Sequence, residues 1–258
     1  MYIRRVNRFA TAYPWDYRAI SAELARFSSD RFRQANISTL GAVLSAVHCV
    51  DTYKLDPQMP ILMATDFGSL TDSLATLLPV YDSHELPKPV SFIGTLQNTT
   101  GWYVAKTLGL TGPQQTLSCG ENPVCCLLDM AMIEKNALVG CVEEAGFDSE
   151  NHLDRTVRAD WMLLSSDPRQ ATAKIERCEY ASLAECVDSL SRSGVRVFTI
   201  CGGGEAPVDG TGIVASDSSL LGLMIDSVNS HLNAPVAYLE RFGDRLSAWI
   251  LSSIKDEV

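Results

Sequence analysis

"TLSCGENPVCCLLDMA" (residues 116–131) joins a short β-prone run, a tight polar turn and an almost wholly apolar helix, and that succession decides how the rest of the chain is read. Asn122 is a good helix N-cap and Pro123 a good first helical residue, so a helix over 123–136 begins directly after the turn. From Val124 to Ile133 only Asp129 is polar, which predicts a helix buried on all sides, sandwiched between two sheets. A strand, a sharp turn and a buried helix are how a fold presents a nucleophile. Glu121 lies on the approach to the helix N-terminus, where the dipole stabilises a carboxylate and would activate a thiol. The plainer reading is that Glu121 and Asn122 simply cap the helix. Cys119, Gly120, Glu121, Asn122 and Pro123 together form the candidate elbow.

Working outward, periodicity gives a strand over 115–119 and another over 137–145, on either side of that helix. Upstream, 2–13 reads as extended, 19–27 as a short helix, and 36–53 as a helix with Ile37, Leu40, Leu44 and Val47 three and four apart. Residues 60–68 form a buried strand ended by glycine, 70–81 a helix that Pro79 interrupts near its end, and 98–110 a helix capped by Asn98 or Thr99. Downstream, 160–166 and 172–182 read as antiparallel strands, followed by a helix over 183–193 and a strand over 196–201. A helix over about 217–231 and a hairpin over 235–254, turning at Gly243-Asp244, complete the chain. Each half holds helices and strands and closes on a strand pair, so the fold class is α/β with two similar halves, 1–150 and 151–258.

Composition narrows the function classes. The 258 residues are 46% hydrophobic, enough for a substantial core, and carry a formal net charge of −10, which disfavours nucleic acid as a partner. Arg4, Arg5, Arg8, Arg18, Arg26, Arg31 and Arg33 are a local exception, read as a solvated or salt-bridged surface. No run approaches the roughly 18 uncharged apolar residues of a membrane span, and the first residues lack the apolar core of a signal peptide, so a cytoplasmic location is expected. The eight cysteines fall mostly in apolar runs and never as Cys-x-x-Cys, which reads as reduced buried thiols; neither metal nor cofactor is expected. Gly202, Gly203 and Gly204 read as a tight loop, since no phosphate-binding frame surrounds them.

The segment "GLTGPQQTLSCGENPVCCLLDMAMIEKNALVGCVEEAG" (109–146) resembles the part of β-ketoacyl synthases that carries their nucleophilic cysteine. "RFRQANISTLGAVLSAVH" and "ILMATDFGSL…KPVSFIGTLQNTTGWYVAKTLGL" are similar to the upstream signatures of a short, divergent ketosynthase-like branch. Setting Gly112-Pro113 and Ala131 on their family counterparts puts Glu121 where those enzymes have cysteine, with Cys119 two residues early. "CGGGEAPVD" (201–209) is similar to the loop that begins with a catalytic histidine, which places Cys201 there, and 212–230 contains no histidine for the second one.

The resemblance implies a truncated thiolase-like fold, layered α-β-α-β-α, with one helix buried between the sheets. Decarboxylative condensation needs a thiolate and two imidazoles, and all three positions are substituted here. It therefore implies an inactive subunit resembling the chain length factors of type II polyketide systems, nearest those of aryl polyene clusters. Such a subunit pairs with a catalytic ketosynthase and shapes the tunnel for the growing chain. An acyl carrier protein would then dock through the partner. On this reading the strand at Thr116, Leu117 and Ser118, with Gln97, Asn98, Gly101 and Trp102, belongs to the interface or tunnel. The alternatives are an active acyltransferase or thioesterase using Cys119 or Cys201, and a homodimeric scaffold.

Overall fold

The computed structural model describes residues 1–29, 32, 35–65, 68–84, 86–87, 89–118, 123–144, 146–147, 153–154, 156–201, 220–230, 232, 234–242 and 245–254. The chain begins with strand β1 (Tyr2–Thr11), helix α1 (Tyr17–Leu24) and helix α2 (Ile37–Val50), then strand β2 (Ile61–Thr65). Helices α3 (Leu70–Ser83), α4 (Pro89–Thr95) and α5 (Asn98–Leu108) lead to strand β3 (Gln114–Ser118), helix α6 (Pro123–Ile133) and strand β4 (Asn136–Glu143). A two-residue pair, β5 (Gly146–Phe147) and β6 (Leu153–Asp154), precedes strands β7 (Val157–Ser165) and β8 (Ala173–Tyr180). Helix α7 (Leu183–Arg192), strand β9 (Arg196–Cys201), helix α8 (Leu220–Asn229) and the hairpin β10 (Val236–Phe242) and β11 (Arg245–Ser253) follow.

Among the described residues nine strands form one hydrogen-bonded sheet in the order β3-β2-β4-β7-β1-β8-β11-β10-β9. In the first half β2 runs parallel to β3 and β4, β4 antiparallel to β7, and β7 antiparallel to β1. In the second half β9 runs parallel to β10, β10 antiparallel to β11, and β11 antiparallel to β8. The order β2-β4-β7-β1 is thus repeated, sense for sense, by β9-β10-β11-β8. The halves join in the sheet through two residue pairs, Tyr2 with Lys174 and Ile3 with Ala173.

Alternation along the strands sorts side chains into separate cores. On the outer face of the first half, Ile61, Met63, Leu138, Trp161 and Leu163 pack with α1, α2 and α5. On the inner face, Leu62, Ala64, Val139, Met162 and Leu164 pack with Leu127 and Leu128 of α6 and with Leu221, Met224 and Ile225 of α8. Ile175, Tyr238, Trp249 and Leu251 of the second half close the same core from the other side. Cys186 and Leu190 of α7 cover Ala237, Leu239 and Ala248 on the last face. This is an α-β-α-β-α layering, with both faces of each half-sheet covered, which is why the strands read as continuous apolar runs. The central layer holds two helices, α6 and α8, where the sequence reading put one.

Other corrections have local causes. The strands β7 and β8 are not each other's partners; β1 lies between them and runs antiparallel to both. Pro79 lies inside α3, which continues to Ser83 and ends at His84 in the left-handed conformation. Neither Asn98 nor Thr99 caps α5: Gln97 stands at the cap in helical conformation without a side-chain bond, and Thr99 Oγ1 donates to the Ile93 carbonyl. In α6 the expected all-round burial stops at a stripe. Cys126 is exposed and Ile133 is 85% exposed, while half-buried Asp129 pairs with Arg177 of β8 at 2.9 Å.

Polar links tie helices to strands. Ser45 of α2 donates to the Ala159 carbonyl at 2.9 Å, and Gly41 leaves room for the Phe9 ring. Arg8 of β1 joins buried Asp160 of β7 at 3.1 Å to Asp226 of α8 at 2.7 Å, which fixes α8 on the first half-sheet. A buried ion pair is worth its desolvation cost only when its geometry is complete, and the second carboxylate supplies a further bond. Cys49, Cys125, Cys141 and Cys186 are buried thiols; burial pushes Cys49 up to about 12. Cys126 departs from the expectation of buried thiols because it lies on the open stripe of α6, and Cys178 is only partly covered. Among the described residues no helix is long and apolar enough to cross a membrane.

Candidate functional site

The parallel run of β2, β3 and β4 brings three carboxyl ends, Thr65, Ser118 and Glu143, to one end of the sheet, beside the start of α6. Ligands in such sheets bind outside the carboxyl ends of the strands, because loops there can vary without disturbing the core. Thr65 Oγ1 accepts from the Gly68 backbone N–H at 2.8 Å and donates to Glu143 Oε2 at 3.5 Å; the Cys141 thiol donates to Glu143 Oε1 at 3.6 Å. Ser38, Thr65, Gly68, Ser69, Gln97 and Thr100 line a cavity of about 10 Å³, with Met63 and Val142 as its apolar walls. That is about the space one water molecule needs.

The N-terminus of α2 supports the same end. Asn36 Oδ1 accepts from the Thr39 backbone N–H and the Ser38 hydroxyl, each at 2.9 Å. Its amide Nδ2 donates to Ser69 Oγ at 3.0 Å and Asp72 Oδ2 at 2.8 Å, tying α2 to α3. Thr39 and Thr100 share a buried hydroxyl contact at 2.8 Å, which adds α5.

Glu144, next to the end of β4, is 1% exposed, and its Oε2 has no hydrogen-bond partner among the described residues. Burial pushes its carboxyl up to about 7; bonds from the Thr71 side chain and backbone oppose the rise, and neighbouring Asp72 adds to it. Tyr17 is raised by burial and by these same two carboxylates. The end of the sheet therefore carries hydroxyl, amide and carboxyl groups suited to holding a loop or a polar ligand. No described histidine joins them: His48 sits in the last turn of α2 against Glu23 at 2.9 Å, and His84 ends α3.

Of the residues singled out in the sequence, Cys119, Gly120, Glu121 and Asn122 lie outside the described residues, as do Gly202, Gly203 and Gly204. Pro123 is the first residue of α6, and Cys201 is the last residue of β9, in register with Glu240 of β10. Gln97 lines the cavity, its side chain lying over Gly68, whose φ of +65° favours glycine. Asn98 opens α5; Gly101 faces Gln114 and Thr116 of β3, where an added Cβ would make ordinary contacts at 3.8 and 3.9 Å. Trp102 is 50% exposed, beneath Lys106 Nζ at 5.3 Å. On β3, Thr116 and Leu117 are half-buried and Ser118 is exposed.

Thr65, Glu143, Glu144 and the Asn36 cluster were not singled out in the sequence. The available signal was a polar or acidic residue closing each apolar strand: Thr65 after "ILMA" and Glu143-Glu144 after "LVGCV".

Two half-sheets of the same strand order around a shared pair of buried helices define a thiolase-like α/β fold, the fold of the ketosynthases. No protein-family model and no curated protein matches the sequence. Solved structures do match. The complex of the ketosynthase ApeO with its chain length factor ApeC from Xenorhabdus doucetiae gives a TM-score of 0.57 at 13% identity, covering 98% of this chain and 99% of the matched chain. The ishigamide ketosynthase/chain length factor gives 0.63 at 13% identity, covering 94% and 86%. A chain of AntDE:AntF, a type II polyketide acyl-carrier protein in complex with its ketosynthase, gives 0.60 at 11% identity, covering 98% and 99%. Likeness at this identity establishes the fold.

Proposed function

We propose that this chain is a ketosynthase-like subunit that pairs with an active β-ketoacyl synthase and helps shape the tunnel for a growing polyketide or polyene chain. The observation that carries the reading is the edge of the sheet at β3. Gln114, Gln115 and Ser118 are exposed, and among the described residues the strand has a hydrogen-bonding neighbour on one side only. Such an edge is a template for pairing with another chain. Beside it lies an apolar surface: Leu77, Leu78 and Tyr81 of α3, Phe92 and Ile93 of α4, and Trp102 of α5 are each at least 40% exposed. Gly101 lies against Thr116 and the Thr99 hydroxyl donates to the Ile93 carbonyl, so α5 stands between β3 and α4. Large apolar side chains left exposed on neighbouring helices are what an interaction surface offers a partner.

A ketosynthase is favoured as the occupant because three solved structures of this fold contain ketosynthases with chain length factors or carrier protein. In this reading residues 1–258 act as one cytoplasmic domain, and Glu121 occupies the position of the nucleophile without its chemistry. With a net charge of −10, the chain would leave the docking of an acidic acyl carrier protein to its partner.

The test is co-expression with β-ketoacyl synthases of the same genome. A stable heterodimer, with product length altered when this chain is omitted, is the expected result. A homodimer that ignores the ketosynthase would overturn it, as would acylation of Cys119 or Cys201 by a thioester analogue. If Glu121→Ala leaves both complex formation and product length unaltered, Glu121 has no special role.

A further inference from the structure

Far from the carboxyl ends of β2 and β4, at the start of β1, lies a cleft of about 540 Å³ lined by Arg4, Arg5, Thr52, Tyr53, Gln170 and Thr172. Successive residues of a regular strand point to opposite faces, so Arg4 and Arg5 should not share a site. They do, because the pairing of β1 with β7 skips from Ile3 to Arg5 and leaves Arg4 as the extra residue of a bulge. Their guanidinium carbons lie 5.9 and 5.8 Å from the centre of the Tyr53 ring.

Two further residues of the cleft have backbones that side chains rarely adopt: Thr52 at φ 124° and Gln170 at φ 61°. A β-branched residue at such a φ is strained, and strain of this kind concentrates where the surroundings hold a site in shape. The Tyr53 hydroxyl donates to the Gln170 carbonyl at 3.4 Å, joining the two walls.

The charges do not cancel within the cleft. Asp167 is shared between Arg4 at 3.3 Å and Arg169 at 2.6 Å, and the bonds from Arg169 hold its carboxyl down at about 2. Arg5 has no ion pair among the described residues, and Arg4 Nε is buried without a hydrogen-bond partner there. With one carboxylate shared between Arg4 and Arg169 and none on Arg5 among the described residues, the cleft keeps an excess of positive charge on a chain of net charge −10.

We infer that this cleft binds the phosphate group of a small molecule. Two guanidiniums match a dianion, and the Thr52 hydroxyl adds a donor for a group with three free oxygens, more than one carboxylate can use; the Thr172 hydroxyl already donates to the Ile3 carbonyl at 3.0 Å and only lines the wall. The cleft volume leaves room for more of the ligand than its phosphate.

Calorimetric titration of the full chain, with its partner where the two co-purify, tests the inference using inorganic pyrophosphate as probe. Saturable binding is expected, weakened at least about tenfold by Arg5→Gln, as loss of a charge-assisted contact implies. Arg5→Lys keeps the charge but loses the planar fork and should also weaken binding, whereas Arg192→Gln on α7 should not. No saturable binding, a smaller loss in Arg5→Gln, equal loss in Arg192→Gln, or equal affinity for succinate would each overturn it. Arg5 is exposed, so its variants keep the fold, and thermal unfolding of each confirms it.

Discussion

Gly222 of α8 lies against the Arg8 guanidinium so closely that a Cβ there would stand 2.7 Å from Nη2, and equally close to Asp160 Oδ2. The glycine is the space through which β1, β7 and α8 are bound together. Gly222→Ala should push the guanidinium off buried Asp160 and destabilise the protein by about 2 to 4 kcal/mol, combining overpacking with a weakened buried pair. Urea denaturation checks this; an alanine variant as stable as the parent would show that the triad has slack.

Glu144 should make stability fall as pH rises. Its folded pKa is raised to about 7, above the ordinary 4.5, so the folded state holds its proton where the unfolded chain has lost it. The contribution is fully present below pH 4.5 and is lost as pH rises through 7, by about 3 kcal/mol at most. Comparing Glu144→Gln with the parent from pH 4 to 8 isolates it: the difference should grow in favour of glutamine across that window. A flat difference would mean that Thr71 already stabilises the carboxylate.

Asn36→Ala should cost about 1 to 2 kcal/mol, because the α2 cap and two side-chain bonds to α3 disappear together. Asn36→Asp keeps the capping oxygen but faces Asp72 with a second negative charge, so it should recover only part of the loss. Thermal unfolding ranks the three proteins.

Phe92→Asp and Trp102→Asp should weaken partner binding at least about tenfold while moving the melting temperature of the isolated chain by under about 2 °C. Both side chains are at least half exposed in the chain alone, so a charge there costs little until a partner must cover it. Sedimentation of the mixed subunits reads the first quantity and calorimetry the second. Equal losses in both would place these residues in the core.

The alternation of strand and helix was legible because each half-sheet is covered on both faces, so β2, β4 and β7 stand out as apolar runs with polar ends. The turn chemistry of Asn122-Pro123 located the start of α6 for the same local reason. Pairing was less legible: 160–166 and 172–182 look like neighbours, yet β1 comes from the far end of the chain to part them, a non-local choice that periodicity cannot register. Helix α4 was missed because its "PVSFIGT" opens with proline and carries no helical spacing over so short a span. Glu144 was missed because its meaning lies in Thr71 and Asp72, brought to it from another element.

The two residue pairs that join β1 to β8 have a consequence for how the molecule comes apart. So short a seam contributes little cohesion; the halves hold because α6 and α8 fill the space between them and belong to both. A protease nick in 166–171 should therefore leave the cut chain assembled, while either fragment made separately would expose the naked inner side of its sheet and aggregate. Mixing the fragments during refolding should restore solubility, as two pieces of a single cooperative body do.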